Sequence, residues 1–257
     1  MDKKNLFDLT GRVAVVTGAS SGLGVQMAKA FARQGADLVI MARRKEKLEA
    51  VAEEIRKLGV KCLPIQCDVT DTEAVNRAAE ITEKEFDKID ILVNNAGNGH
   101  VGPAIDTTDE DWASVINLDL SSVFKVSRAF AKIMMKNKYG RIINITSMYG
   151  LVGNMALPSA GYHAAKGGAI NLTRALAAEW APYGITVNSI CPGYFETELT
   201  ADTLKTEEFS QYMKATVPLG RYGREGELDA AAVFLASDAA SYVTGIALPV
   251  DGGYTCV

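Results

Sequence analysis

The feature that most constrains this chain is a strict alternation of short Val/Ile-rich runs with longer amphipathic stretches. Strand-like runs fall at 13–17, 37–41, 60–66, 91–94, 141–145, 186–190 and 247–250. Helical periodicity covers 22–34, 46–58, 72–86, 109–136, 162–181 and 227–236 between them. Strands that are apolar at nearly every position need cover on both faces, as in a parallel sheet with helices on either side. The alternation therefore predicts an α/β fold, a doubly wound parallel sheet of about seven strands. No linker, repeat or low-complexity stretch divides the 257 residues, so one domain is expected. Segment 194–218 stands apart as polar and strandless, directly after the sixth strand. Ligands of open α/β sheets sit beyond the carboxyl ends of the strands, so this segment reads as a substrate lid, or else as a peripheral helix.

Composition narrows the partners. Against 31 acidic residues there are 27 basic ones, a net charge of −4, without the basic excess that nucleic acid demands. No apolar stretch reaches membrane-spanning length, and MDKKNLFDLTGR lacks the apolar centre of a secretion signal, so a cytoplasmic protein with no membrane partner is expected. Cys62, Cys67, Cys191 and Cys256 form no C-x-x-C pair, and only two histidines accompany them. They read as buried thiols in a reducing compartment, and no metal site is expected.

The first strand runs directly into Thr17-Gly18-Ala19-Ser20-Ser21-Gly22-Leu23-Gly24, and a helix follows. Gly18, Gly22 and Gly24 permit a tight turn, close backbone approach to a pyrophosphate and close helix–strand contact. The helix N-terminus then offers its N–H groups to the phosphates. A glycine triplet between strand and helix is the context that gives such a motif weight. At the end of the second strand stands Ala42, followed by Arg43 and Arg44. A carboxylate there would bind the ribose hydroxyls of NAD, whereas arginines suit the 2′-phosphate of NADP. The alternative is that both arginines are the solvated start of the next helix.

The spacing G-x-x-x-G-x-G resembles that of the short-chain dehydrogenases/reductases, and the likeness covers essentially the whole chain. Asn94-Asn95-Ala96-Gly97, Tyr162-x-x-x-Lys166, Pro192-Gly193 and Val250-Asp251-Gly252-Gly253 follow in the same order. The resemblance implies a single-domain Rossmann-like fold, a nicotinamide cofactor that the two arginines make NADP(H) in preference to NAD(H), a small-molecule ketone or alcohol as substrate, and a homotetramer, or else a dimer. It implies cofactor contacts from Ser20, Ser21, Leu23, Val69 and Gly97 as well as the glycines. It makes Asp68 the acceptor for the adenine amino group, a residue that equally reads as a helix N-cap. It also lines the adenosine pocket with Asn95 and Ala96, and assigns Pro192, Gly193 and Thr197 to the nicotinamide. Ser21 departs from the pattern, standing where NADP-using members often carry a second basic residue.

Tyr162 and Lys166 are four apart in a helical segment, and so share a face. A free phenol ionises near ~10, too high for a base at neutrality, but a nearby ammonium favours the phenolate. Tyrosine can then take a hydroxyl proton during alcohol oxidation and return it during ketone reduction. The preceding strand ends in Asn144-Ile145-Thr146-Ser147, which places Ser147 at the carboxyl edge, where its hydroxyl can hold a substrate oxygen. By resemblance, Ser147 belongs to the active site, and Asn117 holds a water beside the lysine. A structural hydrogen bond is the other reading of that amide, which lies in an otherwise apolar stretch.

His100, Met148, Met155, Tyr194 and Phe195 are the expected substrate-facing residues, with Tyr149 beside them. The loop after Gly97 and the stretch between Ser147 and Tyr162 contain no Lys or Arg. Flexible Met and aliphatic walls favour a bulky apolar ketone of hydroxysteroid or bile-acid type. The opening LFDLTG and the string PGYFETELT are similar to gluconate 5-dehydrogenases, so a keto sugar acid stands close behind, and a 3-oxoacyl thioester third. A cofactor-binding sensor without turnover would be expected to lack Tyr162 or Lys166.

Overall fold

The computed structural model describes residues 5–99, 101–154, 157–197, 204 and 206–257. Seven strands form one sheet: β1 (Val13–Thr17), β2 (Asp37–Ala42), β3 (Cys62–Gln66), β4 (Ile91–Asn94), β5 (Gly140–Ile145), β6 (Ile185–Pro192) and β7 (Ala247–Val250). Their spatial order is β3-β2-β1-β4-β5-β6-β7, and every pairing is parallel. The chain winds outward one way from β1 to β3, then restarts at β4 and winds the other way. That reversal opens a crevice between the carboxyl ends of β1 and β4.

The described helices are α1 (Gly22–Arg33), α2 (Lys45–Arg56), α3 (Thr72–Phe86), α4 (Asp109–Ile116), α5 (Ser122–Asn137), α6 (Ala160–Trp180), α7 (Glu207–Thr216) and α8 (Asp229–Ala236). Alternate residues of each strand enter two separate cores. Ala14 and Val16 of β1 pack with Met27 and Phe31 of α1, Leu48 and Ile55 of α2, and Leu235 of α8. Val13 and Val15 face the other way, toward Val75 of α3, Val126 and Phe130 of α5, and Leu176 and Trp180 of α6. This two-sided burial explains why the strands read as continuous apolar runs. Among the described residues no helix is long and apolar enough to cross a membrane.

One expectation about the helices is corrected. The helix expected over 109–136 is three pieces: α4, a π-helical turn at Asn117–Ser121, and α5. The segment 194–218 contains α7, capped by the Thr206 hydroxyl accepting from the Phe209 N–H. The cysteines also divide: Cys62, Cys67 and Cys191 are buried as expected, whereas Cys256 is exposed.

A polar tie joins the sheet to its α5/α6 layer. Asn94 of β4 donates from Nδ2 to Ser127 Oγ of α5 and to Asn144 Oδ1 of β5, both at 2.8 Å. Asn144 in turn donates to Thr173 Oγ1 of α6 at 2.9 Å. All four residues are buried.

Candidate active site

Two adjoining cavities lie along the crevice and meet at Gly97 and Asn98. The first, about 500 Å³, is bounded by Gly18, Ser20, Ser21, Arg43, Arg44, Asp68, Val69 and Ala96. Gly18 has φ +66°, and a Cβ there would lie 2.8 Å from Ala96 Cα. A Cβ on Gly24 would lie 2.6 Å from the Gly18 carbonyl oxygen. The turn can therefore be this tight only with glycine at both positions. Asn95 locks it from the next strand, its Nδ2 donating to the Thr17 carbonyl at 3.0 Å. Ser21, the N-cap of α1, makes no side-chain cap, so the first N–H groups of the helix are left for an anion.

Arg44 reaches back over the turn, donating from Nη2 to Ser21 Oγ at 2.7 Å and to Ser20 Oγ at 3.1 Å. It thus brings a guanidinium to the place where the turn ends. Asp68 accepts from the Thr70 N–H at 2.9 Å, and this bond, more than burial opposes it, holds its carboxyl below the usual range, with Arg43 adding to the effect. That bond belongs to a turn, and the N-cap of α3 is Asp71. These features fit a dinucleotide: a glycine cradle and helix N-terminus for the pyrophosphate, with two arginines and a carboxylate on the same cavity.

The second cavity, about 480 Å³, is lined by Leu23, Asn95, Gly97, Ser147, Met148, Tyr149, Tyr162, Lys166, Pro192, Gly193, Tyr194, Phe195 and Thr197, among others. Sequence reading expected nearly all of these. His100 and Met155 lie outside the described residues. Ser147 accepts from the Tyr149 N–H at 3.1 Å, which leaves its own hydroxyl hydrogen to donate. Lys166 is buried, with Nζ 5.4 Å from the centroid of the Tyr162 ring and donating to the Ile145 carbonyl at 3.2 Å.

Asn117 is not beside the lysine. It is exposed, and its Oδ1 accepts from Lys125 Nζ at 3.2 Å. Two residues on, roughly 200° round a helix, Asp119 occupies the inner position. It is fully buried, with Oδ1 3.0 Å from Lys166 Nζ. Asn98 donates its N–H to both carboxylate oxygens at 3.3 Å. Burial works against the Lys166 ammonium, but the facing Tyr162 and Asp119 outweigh it, and the lysine is held above its ordinary range. Gly97 makes the approach possible, since a Cβ there would lie 2.5 Å from Asp119 Oδ1.

A cluster of hydroxyls closes the far wall. Asn154 Nδ2 donates to the Tyr149 hydroxyl, which also shares a hydrogen bond with the Tyr194 hydroxyl. Tyr212 of α7 lies 3.4 Å beyond Tyr194, and Tyr254 3.4 Å beyond Tyr212. Burial pushes Tyr149 up to about 12, so it stays a neutral phenol. Sequence reading missed Asp119 and the contribution of Tyr212 and Tyr254. The tyrosines come together only in the tertiary fold, from positions far apart in the chain.

Fold and site together define a nicotinamide-dependent oxidoreductase acting on alcohols and ketones. The chain belongs to the short-chain dehydrogenases/reductases: residues 18–255 match the family model described as Enoyl-(Acyl carrier protein) reductase. It is 42% identical to a galactitol 2-dehydrogenase (L-tagatose-forming) of Cereibacter sphaeroides over 255 residues, 99% of each chain. It is 39% identical to a gluconate 5-dehydrogenase of Gluconobacter oxydans (strain 621H) over 256 residues, again 99% of each. The structure of a gluconate 5-dehydrogenase from Burkholderia cenocepacia J2315, in complex with NADP and tartrate, superposes with a TM-score of 0.93 at 38% identity, covering 98% of both chains.

Proposed function

We propose that the protein interconverts a small polyhydroxylated ketone and its alcohol with NADP(H), Tyr162 serving as general acid and base. The observation that carries the substrate class is the Asn154–Tyr149–Tyr194 hydrogen-bond cluster, whose Tyr149 and Tyr194 line the same cavity as Tyr162. Such hydroxyls can exchange their mutual hydrogen bonds for those of a polyhydroxylated substrate, an exchange that a steroid's apolar rings do not offer. Among the described lining residues Lys166 is the sole Lys or Arg, and it is engaged with Asp119. Among the described residues a substrate carboxylate meets no free cation there, which favours a neutral ketose over a sugar acid. Relatives that act on galactitol and gluconate support the same broad class.

Bound nicotinamide supplies the hydride in reduction and accepts it in oxidation. The chain's own residues handle the oxygen. Ser147 donates its hydroxyl hydrogen to the carbonyl oxygen and fixes it near Tyr162. Tyr162 then delivers the proton, so the developing alkoxide never has to persist. Lys166 stabilises the phenolate left behind. For the cofactor, Arg43 and Arg44 with Ser20 and Ser21 supply donors for a 2′-phosphate, and the Burkholderia relative is complexed with NADP. The apolar side of the cavity, with Val101, Met148, Leu157 and Phe195, favours a second reading, the hydrophobic ketone.

An NADPH-consumption screen over neutral ketoses, keto sugar acids, oxo-steroids and 3-oxoacyl thioesters separates these readings. Turnover is expected on ketoses. Turnover confined to oxo-steroids would overturn the assignment. Tyr162→Phe should abolish turnover on the best substrate while leaving NADPH affinity, followed by fluorescence titration, within about twofold, since the phenol's missing oxygen acts on the proton.

A further inference from the structure

We propose that Asp119 is a positioning residue that biases this site toward ketone reduction, by pairing with Lys166 and so keeping Tyr162 in its proton-donating form. The proposal rests on the reading of Tyr162 as acid and base. A lone ammonium 5.4 Å from a phenol ring favours the phenolate. Here the ammonium has a carboxylate 3.0 Å away, itself completely buried, so the tyrosine faces an ion pair rather than a bare cation. In a poorly solvated pocket the carboxylate's opposing field is little screened. The phenol therefore meets a nearly neutral pair where lysine alone would present a full positive charge.

The other groups facing this pair do not alter the balance. From β6 comes Cys191, which burial holds as a neutral thiol. From the turn after β5 comes Tyr149, also neutral, with His163 of α6 stacked on its ring at 4.8 Å. Burial likewise raises Tyr194, beyond β6. The loop after β4 presents the Asn98 N–H and Gly97, and β5 presents the Ile145 carbonyl. Among the described lining residues Asp119 is the sole Asp or Glu. The pair is also built into the fold: the π turn aims the carboxylate inward, and Gly97 leaves room for it.

In reduction the Tyr162 O–H bond breaks and its proton goes to the carbonyl oxygen, while NADPH gives a hydride to the carbonyl carbon. Solvent returns a proton to the phenolate, so ketone, NADPH and one proton become alcohol and NADP+. Oxidation runs the same exchange backward and must begin from the phenolate. A residue that disfavours phenolate slows oxidation at neutral pH and leaves reduction its proton donor.

The test is Asp119→Asn, which keeps an oxygen for Lys166 and removes the charge. Two readouts apply: the acid limb of the pH profile for alcohol oxidation, and an ultraviolet difference titration of the cofactor-free protein with Tyr162→Phe as blank. Both should move to lower pH by about one unit or more, and the ratio of kcat for oxidation to kcat for reduction, each with substrates saturating at neutral pH, should rise about tenfold. Asp119→Glu, which restores the charge, should leave the limb near its original position even where kcat falls. If Asp119→Asn does not fold, judged by circular dichroism, Asp119→Ser carries the same expectation. A titration that stays in place, or moves to higher pH, in a folded neutral variant would overturn the proposal. Failure of the wild-type protein to reduce any ketone would instead overturn the function proposed above, and the phenolate titration would still decide the role of Asp119.

Discussion

Arg44 spans two loops with one side chain, and its hydrogen bonds to Ser20 and Ser21 give the glycine turn a cationic rim. A phosphate on the 2′-oxygen would meet that guanidinium, whereas a bare ribose hydroxyl would gain little from it. Arg44→Ala should raise the KM for NADPH about tenfold or more and leave the KM for NADH nearly unchanged; initial-rate kinetics with both cofactors check this, and equal effects would reject the NADP assignment. Arg44 was legible because a chain position, the end of the second strand, fixes what the residue can reach. Asn117 and Asp119 were legible in a different way. Asn117 was read from the family resemblance, but a regular 3.6-residue count along the apolar stretch, from Val115 to Ser122 and Val126, passes through Asp119, the buried one.

The strands were legible nearly to the residue, because a parallel strand covered on both faces cannot avoid showing as an apolar run. Val13–Thr17, Ile91–Asn94 and Ala247–Val250 start and end as the sequence predicts. Among the buried polar residues, the Ser127–Asn94–Asn144–Thr173 chain holds α5 and α6 against the strands that carry the site. Sequence alone marks Asn94 and Asn144 as strand residues near the crevice, but not as partners, because pairing of β4 with β5 is a tertiary fact. Asn144→Ala removes one of the two acceptors of Asn94 Nδ2 and the donor to Thr173 Oγ1, leaving each buried group one hydrogen bond short. The variant should lose about 2 kcal/mol of stability, read as a fall of roughly 5 °C in thermal midpoint. A variant that melts with the wild type would show that the chain contributes no net stability.

At the scale of the whole molecule, the edge of the sheet opposite the site is held by charge. Arg12, ahead of β1, bonds to Asp90 at 3.1 Å and to Asp238 at 3.2 Å. Arg141 of β5 reaches Asp238 at 3.4 Å, and the two guanidiniums lie 3.9 and 4.3 Å from the centroid of the Tyr139 ring. The Tyr139 hydroxyl donates to Asp238 at 3.0 Å. Burial alone would raise the Asp238 carboxyl, but the tyrosine hydroxyl and both arginines outweigh it and hold it below its ordinary value. A carboxyl depressed by folding stabilises the native state above its unfolded value, near ~4, and that contribution is lost as pH falls through the lower folded value. Asp229 has the opposite sign. Burial raises it, and its Oδ1 is buried without a hydrogen-bond partner among the described residues, so its ionised form opposes folding at neutral pH. That penalty is relieved as pH falls through its raised value. Asp238→Asn should therefore lower the thermal midpoint at neutral pH modestly, its side chain being 59% exposed, and should flatten the fall in midpoint below pH ~4. Asp229→Asn should raise the midpoint at neutral pH and lose that advantage on acidification. Melting curves collected from neutral to acidic pH test both, and parallel curves for either variant and the wild type would show that the carboxylate in question does not couple folding to protons.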